Sequence, residues 1–250
     1  MRSVFEITRQ PPVPPDTFMR YAVYWTPPPG PLARFGAAWL GWDPVASAEV
    51  DAPEFAPEIP GTSLCEITAR PRTYGFHATI KAPFRLAPGK TEDGLCAAFH
   101  SLALSRPPVR LDALKLARMG RFLCLRPESD SAALNALAAE AVRQLDPFRA
   151  PLTGDEIARR RRSRLSPEAD ALLLRWGYPH VMERFQFHAT LTGPLKEAEA
   201  GAVEAALLPL LEPLLPCPFW IDALTLMGED ASGRFHALCR VPLGGGLQAT

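Results

Sequence analysis

The chain has 250 residues, 47% of them hydrophobic, enough for one large or two small domains with a proper core. Basic and acidic residues balance at 27 each, which removes the whole-molecule field that would draw the protein onto nucleic acid or an anionic membrane. Cys65, Cys96, Cys124, Cys217 and Cys239 are scattered with no Cys-x-x-Cys pair, which suits reduced thiols better than a disulfide framework.

Residues 1 to 18 hold a proline cluster and no periodic run, so they read as a flexible tail, with Met19 a candidate natural start. Arg20 to Trp25 alternates, with Tyr21, Val23 and Trp25 on one face, and stops at TPPPGP, a strand followed by a turn. LARFGAAWLG predicts a short helix whose stripe is Leu32, Phe35, Trp39 and Leu40 and whose end is Gly41. Residues 43 to 71, rich in Pro, Ala and Glu, read as an irregular connection. FHATIKAPF follows at residues 76 to 84 as a strand.

Thr91 then caps a helix with Glu92 and Asp93 in its first turn, ending before Pro107. VRLDALKLARMGRFLCLRP gives two alternating runs about Met119-Gly120, a β-hairpin. SAALNALAAEAVRQL is an amphipathic helix with Leu134, Leu137, Ala138, Ala141 and Leu145 on one stripe. The charge cluster IARRRRSRL, with Arg159 to Arg162 and Arg164, reads as a solvated loop; a phosphate clamp on a lid and an RNA-binding patch are the functional alternatives. A second helix starts at Ser166-Pro167 and ends at Gly177. The apolar stretch AALLPLLEPLLP carries Glu212 and three prolines, so it is no membrane span, and with no signal-peptide pattern in view the chain reads as a soluble cytoplasmic protein.

FHATLTGPL at residues 187 to 195 repeats the first motif, its histidine 111 positions on (188 minus 77). A helical run and a second Gly-bearing hairpin follow it, as in the first half: LDALKL at 111 to 116 matches IDALTL at 221 to 226, and GRF recurs at 120 and 233. In a strand, side chains two apart share a face. His77 and Thr79 therefore point one way and Phe76, Ala78 and Ile80 the other; His188 and Thr190 behave alike. A pseudo-twofold axis would bring two imidazoles and two hydroxyls to one site.

That set fits in-line cleavage of a phosphodiester, which needs a base at the entering oxygen and an acid at the leaving one. Threonine hydroxyls can donate to the non-bridging oxygens. Face parity nominates Lys81, Arg184, Gln186 and Thr192 as possible substrate-binding residues; Tyr74 has the opposite parity and reaches the cleft only through a bulge. His236 takes the place of Leu123 in the other half and reads as a packing residue, while His100 and His180 have no spaced partner. No Cys/His/Asp cluster shows metal-ligand spacing, so neither a metal nor another cofactor is expected.

Two His-x-Thr motifs in duplicated α+β halves resemble the 2H phosphoesterase superfamily, over roughly residues 19 to 242. RYAVYWTPPPG, AAWLGWDP and YGFHATIKAPF resemble its branch found with bacterial phosphonate-utilisation genes. The resemblance implies an α+β fold of two duplicated lobes, with antiparallel sheets lining a central cleft and helices outside. It places the lobes at about 40–130 and 180–245 within one bilobal domain, 19–250. It implies metal-independent hydrolysis of a small cyclic phosphate ester, such as a ribosyl cyclic phosphate in phosphonate catabolism, with His77 and His188 catalytic and Thr79 and Thr190 binding phosphate. The alternatives are a 2′,3′-cyclic phosphodiesterase or 2′-5′ ligase-like activity on RNA ends, which the balanced charge disfavours, and a non-catalytic binder of a nucleotide or partner. The sequence sets no oligomeric state.

Overall fold

A computed structural model of the chain describes residues 18–53 and 62–244. The tail expected at residues 1–18 lies, up to residue 17, outside the described residues; Phe18 itself packs on Gly228, where an added Cβ would meet its ring at 2.4 Å. In chain order the elements are β1 (Arg20–Trp25), α1 (Pro31–Leu40), β2 (Trp42–Asp43), β3 (Ala48–Glu49), α2 (Leu64–Arg72), β4 (Ala78–Phe84), α3 (Glu92–Leu104), β5 (Val109–Leu111), β6 (Leu114–Met119) and β7 (Phe122–Pro127). There follow α4 (Ala132–Leu145), α5 (Gly154–Arg161), α6 (Pro167–Trp176), β8 (Ala189–Thr190), α7 (Glu197–Leu211), β9 (Phe219–Ile221), β10 (Ala223–Glu229) and β11 (Phe235–Pro242).

The expected caps hold the helices. Gly41 and Gly177 close α1 and α6 in the left-handed region, and the side chains of Thr91 and Ser166 accept backbone N–H groups at the starts of α3 and α6; Ser131, not among the expected caps, does the same for α4. Two expectations fail for the same reason. Within the stretch read as irregular, Ser63 and Glu66 form a capping box that starts α2, and Thr153 and Glu156 form another that turns the arginine run into α5 rather than a loop.

Seven strands form one antiparallel sheet in the order β11-β10-β1-β4-β8-β7-β6, so the fold is α+β as expected. The order shows an exchange. The hairpin β6–β7 from the first half flanks the second motif on β8, while β10–β11 from the second half, with β1 between, flanks the first motif on β4. Strands β5 and β9 also pair across the halves. Each half thus completes the other's sheet, and neither motif has its own hairpin beside it.

Parity in β1 holds. Tyr21, Val23 and Trp25 join the main core with Ala78, Ile80, Ala189 and Leu191, while Ala22 and Tyr24 face the other way with Met227 and Phe235. The apolar stripes of α3, α4 and α7 fill the same main core, each fully buried Leu or Phe contributing about 1.5–3 kcal/mol. Helix α1 anchors both motifs. Gly36 lets the Phe76 ring lie against it, since a Cβ there would meet the ring at 2.4 Å, and the Trp39 indole N–H donates to the Leu191 carbonyl at 2.9 Å.

Candidate active site

The site follows from one strand pairing. Ala78 of β4 lies opposite Ala189 of β8 in antiparallel register. One residue further in each direction sets His77 against Thr190 and Thr79 against His188, all four on the face away from the two buried alanines. The two histidines occupy diagonal corners of this quartet, a relation that separates cross-strand neighbours by roughly 7–8 Å. A phosphorus atom with its oxygens fits between them.

Both rings are oriented alike. His77 Nδ1 lies 2.9 Å from the Gly75 carbonyl and His188 Nδ1 lies 2.8 Å from the Gln186 carbonyl, each two residues upstream. A carbonyl only accepts, so in both rings Nδ1 carries the hydrogen and Nε2 presents its lone pair. His77 Nε2 sits 3.2 Å from Thr79 Oγ1, which donates to it. Gly75 makes the turn possible: its φ is +72°, and a Cβ there would meet Pro44 at 2.7 Å.

The surroundings differ. The His77 ring is stacked at 3.8 Å on Tyr24, which stands opposite Thr79 on β1, and Tyr74 lies 5.8 Å away on top of Phe235. Burial among these rings pulls the His77 imidazole down to about 4; the Gly75 carbonyl opposes this and the charge of His188 adds to it. Among the described residues His188 meets a single ring, Phe122 at 5.8 Å, and it opens onto a cleft of about 490 Å³ that it shares with Thr79. Burial also holds His188 below the ordinary value, the Gln186 carbonyl opposing and the Arg126 guanidinium adding to it. Continuing the β7–β8 register places Arg126 opposite His188.

The other nominated residues divide. Arg184 and Gln186 line the cleft beside His188. Tyr74 reaches His77 because the Gly75 turn precedes the strand, so pleat parity does not apply to it. Lys81 and Thr192 are corrections. The register between β1 and β4 slips between Val23 and Tyr24, and Lys81, 3% exposed, donates to the Val142 carbonyl at 3.2 Å and pairs with Asp146 at 3.7 Å. Its ammonium is committed to the end of α4, and burial pulls it down to about 8 despite Asp146. Thr192, 1% exposed, accepts from the Leu123 N–H and donates to the Gly193 carbonyl, so its hydroxyl is spent on the backbone.

Sequence reasoning missed Tyr24, Arg126 and Tyr178. Parity in β1 already sets Tyr24 opposite to Trp25; Arg126 needs the register of β7 against β8, which no local pattern carries. Cys124 lies opposite Thr190, but burial pushes its thiol up to about 11, which leaves no thiolate nucleophile at neutral pH. His236 packs as expected and is also a tie, bonded to Ser47 Oγ at 2.8 Å and Asp230 Oδ2 at 2.9 Å between Trp42 and Phe18. Among the described residues no three His, Cys, Asp or Glu side chains cluster as metal ligands, and no helix is long and apolar enough to cross a membrane.

Comparison with known proteins adds the following. A protein called ribose 1,5-bisphosphate phosphokinase PhnN, from Janthinobacterium sp. (strain Marseille), is 37% identical over 236 residues, 92% of this chain and 52% of its own. One of the same name from Laribacter hongkongensis is 34% identical over 226 residues, 89% of this chain and 51% of its own. The chain spans about half the length of the curated relatives it matches. Among solved structures, E. coli LigT complexed with NADP+ is 15% identical with a TM-score of 0.43, covering 91% of this chain and 99% of LigT. TT0787 of Thermus thermophilus is 15% identical with a TM-score of 0.44, covering 91% of this chain and 100% of its own. A family model described as protein of unknown function, DUF1045, matches residues 79–236, from Thr79 on β4 to His236 on β11. The match takes in well over half of the sequence, and the chain belongs to the DUF1045 family.

Proposed function

We propose that this protein is a metal-independent phosphodiesterase of the 2H type that hydrolyses a small cyclic phosphate ester. The observation that carries the reading is the Ala78–Ala189 pairing, which sets two imidazoles and two threonine hydroxyls at the corners of one patch. Water gives its proton to one Nε2 as its oxygen bonds to phosphorus; the ring P–O bond breaks, and the departing alkoxide takes a proton from Nε2 of the other ring, which enters the step as the imidazolium. The product is a phosphate monoester. Thr190, and Thr79 once its hydroxyl turns from His77 Nε2 to the substrate, donate to the non-bridging oxygens, where negative charge gathers in the transition state.

The unequal environments support a division of roles. His77, kept neutral to about pH 4, is the base, and His188, at the open cleft, is the acid. Balanced charge supports a small substrate over RNA. The two relatives are named for a ribose bisphosphate, which supports a sugar phosphate, in keeping with a ribosyl cyclic phosphate of phosphonate catabolism. Their kinase activity is not carried over. A Gly-x-x-x-x-Gly-Lys-[Ser/Thr] phosphate loop is absent from this sequence: Gly89-Lys90-Thr91 is present, but Phe84 stands where the first glycine belongs.

The experiment is to offer the purified protein, with chelator present, ribose cyclic phosphates, 2′,3′-cyclic nucleotides and short RNAs with cyclic ends. Turnover of the sugar or nucleotide esters is expected. Tight binding without hydrolysis of any of them would leave a binding protein instead.

A further inference from the structure

The cleft has a second polar end that the hydrolysis does not use. Besides His188 and Thr79 its wall carries Tyr178, His180 and Arg184, with Met119 and Phe122 as apolar lining. Behind Tyr178 stands Arg160 of α5, its guanidinium 4.7 Å from the Tyr178 ring centre, and the His180 ring lies 5.5 Å from that same ring. Arg160, Tyr178 and His180 therefore form one continuous array, of which Tyr178 and His180 line the cleft and Arg160 backs the Tyr178 ring.

The array is positive and lacks a counter-ion. None of the ion pairs among the described residues involves Arg160 or Arg184, whereas the neighbouring Arg161 is taken by Asp170. Glu168 feels Arg184 but lies outside ion-pair distance. Burial, then Arg184, Arg160 and His188 in that order, hold His180 below its ordinary value, so His180 lies within the field of both guanidiniums. Clustered guanidiniums without carboxylates repel one another unless an anion joins them, and their planar donors suit the three oxygens of a phosphate monoester. A volume of about 490 Å³ holds a sugar that bridges the two ends.

We infer that Arg184 and His180, with Arg160 adding its charge from behind Tyr178, form a subsite for a phosphate monoester, so that the preferred substrate is a cyclic phosphodiester carrying a second, terminal phosphate. This rests on the phosphodiesterase reading for the identity of the first phosphate, but the subsite stands on its own geometry. The role given to Arg160 also changes the meaning of the arginine run: one member stacks on a cleft residue, one is an ion-pair partner, and the run is not a uniform patch.

The test compares kcat/KM for a ribose cyclic phosphate with and without a phosphate on its primary hydroxyl, in the wild type and in Arg184→Gln and Arg160→Gln. The wild type should favour the phosphorylated ester by about ten- to a hundredfold, the range of one or two charge-assisted hydrogen bonds, and the ratio should collapse in the variants. A wild-type ratio near one, or a ratio that survives both substitutions, would overturn the subsite and leave the phosphodiesterase reading intact. If neither ester is hydrolysed, that reading falls, and calorimetry with ribose 5-phosphate decides the subsite separately. Affinity about tenfold weaker or more in Arg184→Gln upholds it; unchanged affinity removes it.

Discussion

The two copies of His-Ala-Thr share a backbone arrangement and differ in what surrounds it. In both, Nδ1 meets a carbonyl two residues upstream, which leaves Nε2 with its lone pair for chemistry. The first imidazole, however, is stacked on the fully buried ring of Tyr24, while the second stands beside Arg126 at an open cleft. Duplication supplied two equivalent groups, and the residues around them separate the pair. A general base and a general acid can therefore arise from one motif without any change to the motif.

Removing either imidazole is the largest disturbance. His77→Ala and His188→Ala should each lower kcat on the order of 10²- to 10⁴-fold, and the double variant should be little worse than the single ones, because the proton gain and loss act as a unit. Independent, multiplying losses would show that the two copies do not work together. Thr79→Val and Thr190→Val come next, at roughly 10- to 10³-fold each, read as kcat in steady-state assays. An equal loss at both threonines fits a phosphate held between the halves; a loss at one alone places it in a single copy.

The unequal environments are tested by pH. With the base at about 4 and the acid below its ordinary value near 6.5, kcat/KM should peak on the acid side of neutrality and decline as pH rises through the titration of His188. A plateau running past pH 8 would refute this assignment. Stability shows the same asymmetry with a smaller effect. Above about pH 6.5 both folded and unfolded chains hold His77 neutral. Below that the unfolded chain takes up a proton which the folded one resists until about pH 4, so stability falls across this interval. His77→Gln should lose on the order of 1–3 kcal/mol less than the wild type between pH 7 and 4 in urea titrations. The smallest effect is at Tyr24: its buried hydroxyl has no hydrogen-bond partner among the described residues, so Tyr24→Phe should leave stability unchanged or raise it by up to about 1 kcal/mol.

Much of this was legible in the chain. The repeated motif, the alternation in β1 and the Ser, Thr and Gly caps are local signals, and each fell where the periodicity put it. Pairing is not local. The exchange of hairpins between halves, and with it Arg126 beside His188, depends on which strands meet, and a sequence pattern holds no record of that. Lys81 was misplaced because parity assumes an unbroken pleat, and the slip between β1 and β4 breaks it just past Thr79. Helices α2 and α5 were the avoidable errors, since Ser63-x-x-Glu66 and Thr153-x-x-Glu156 are start signals visible without any structure.

The claim beneath all of this is that both halves hold a single phosphate group. A crystal structure with phosphate or sulfate bound tests it most directly. The account predicts one anion within about 2.6–3.2 Å of Nε2 of both His77 and His188 and of the hydroxyls of Thr79 and Thr190. An anion that bonds to one copy only, with the other histidine turned away from it, would contradict it.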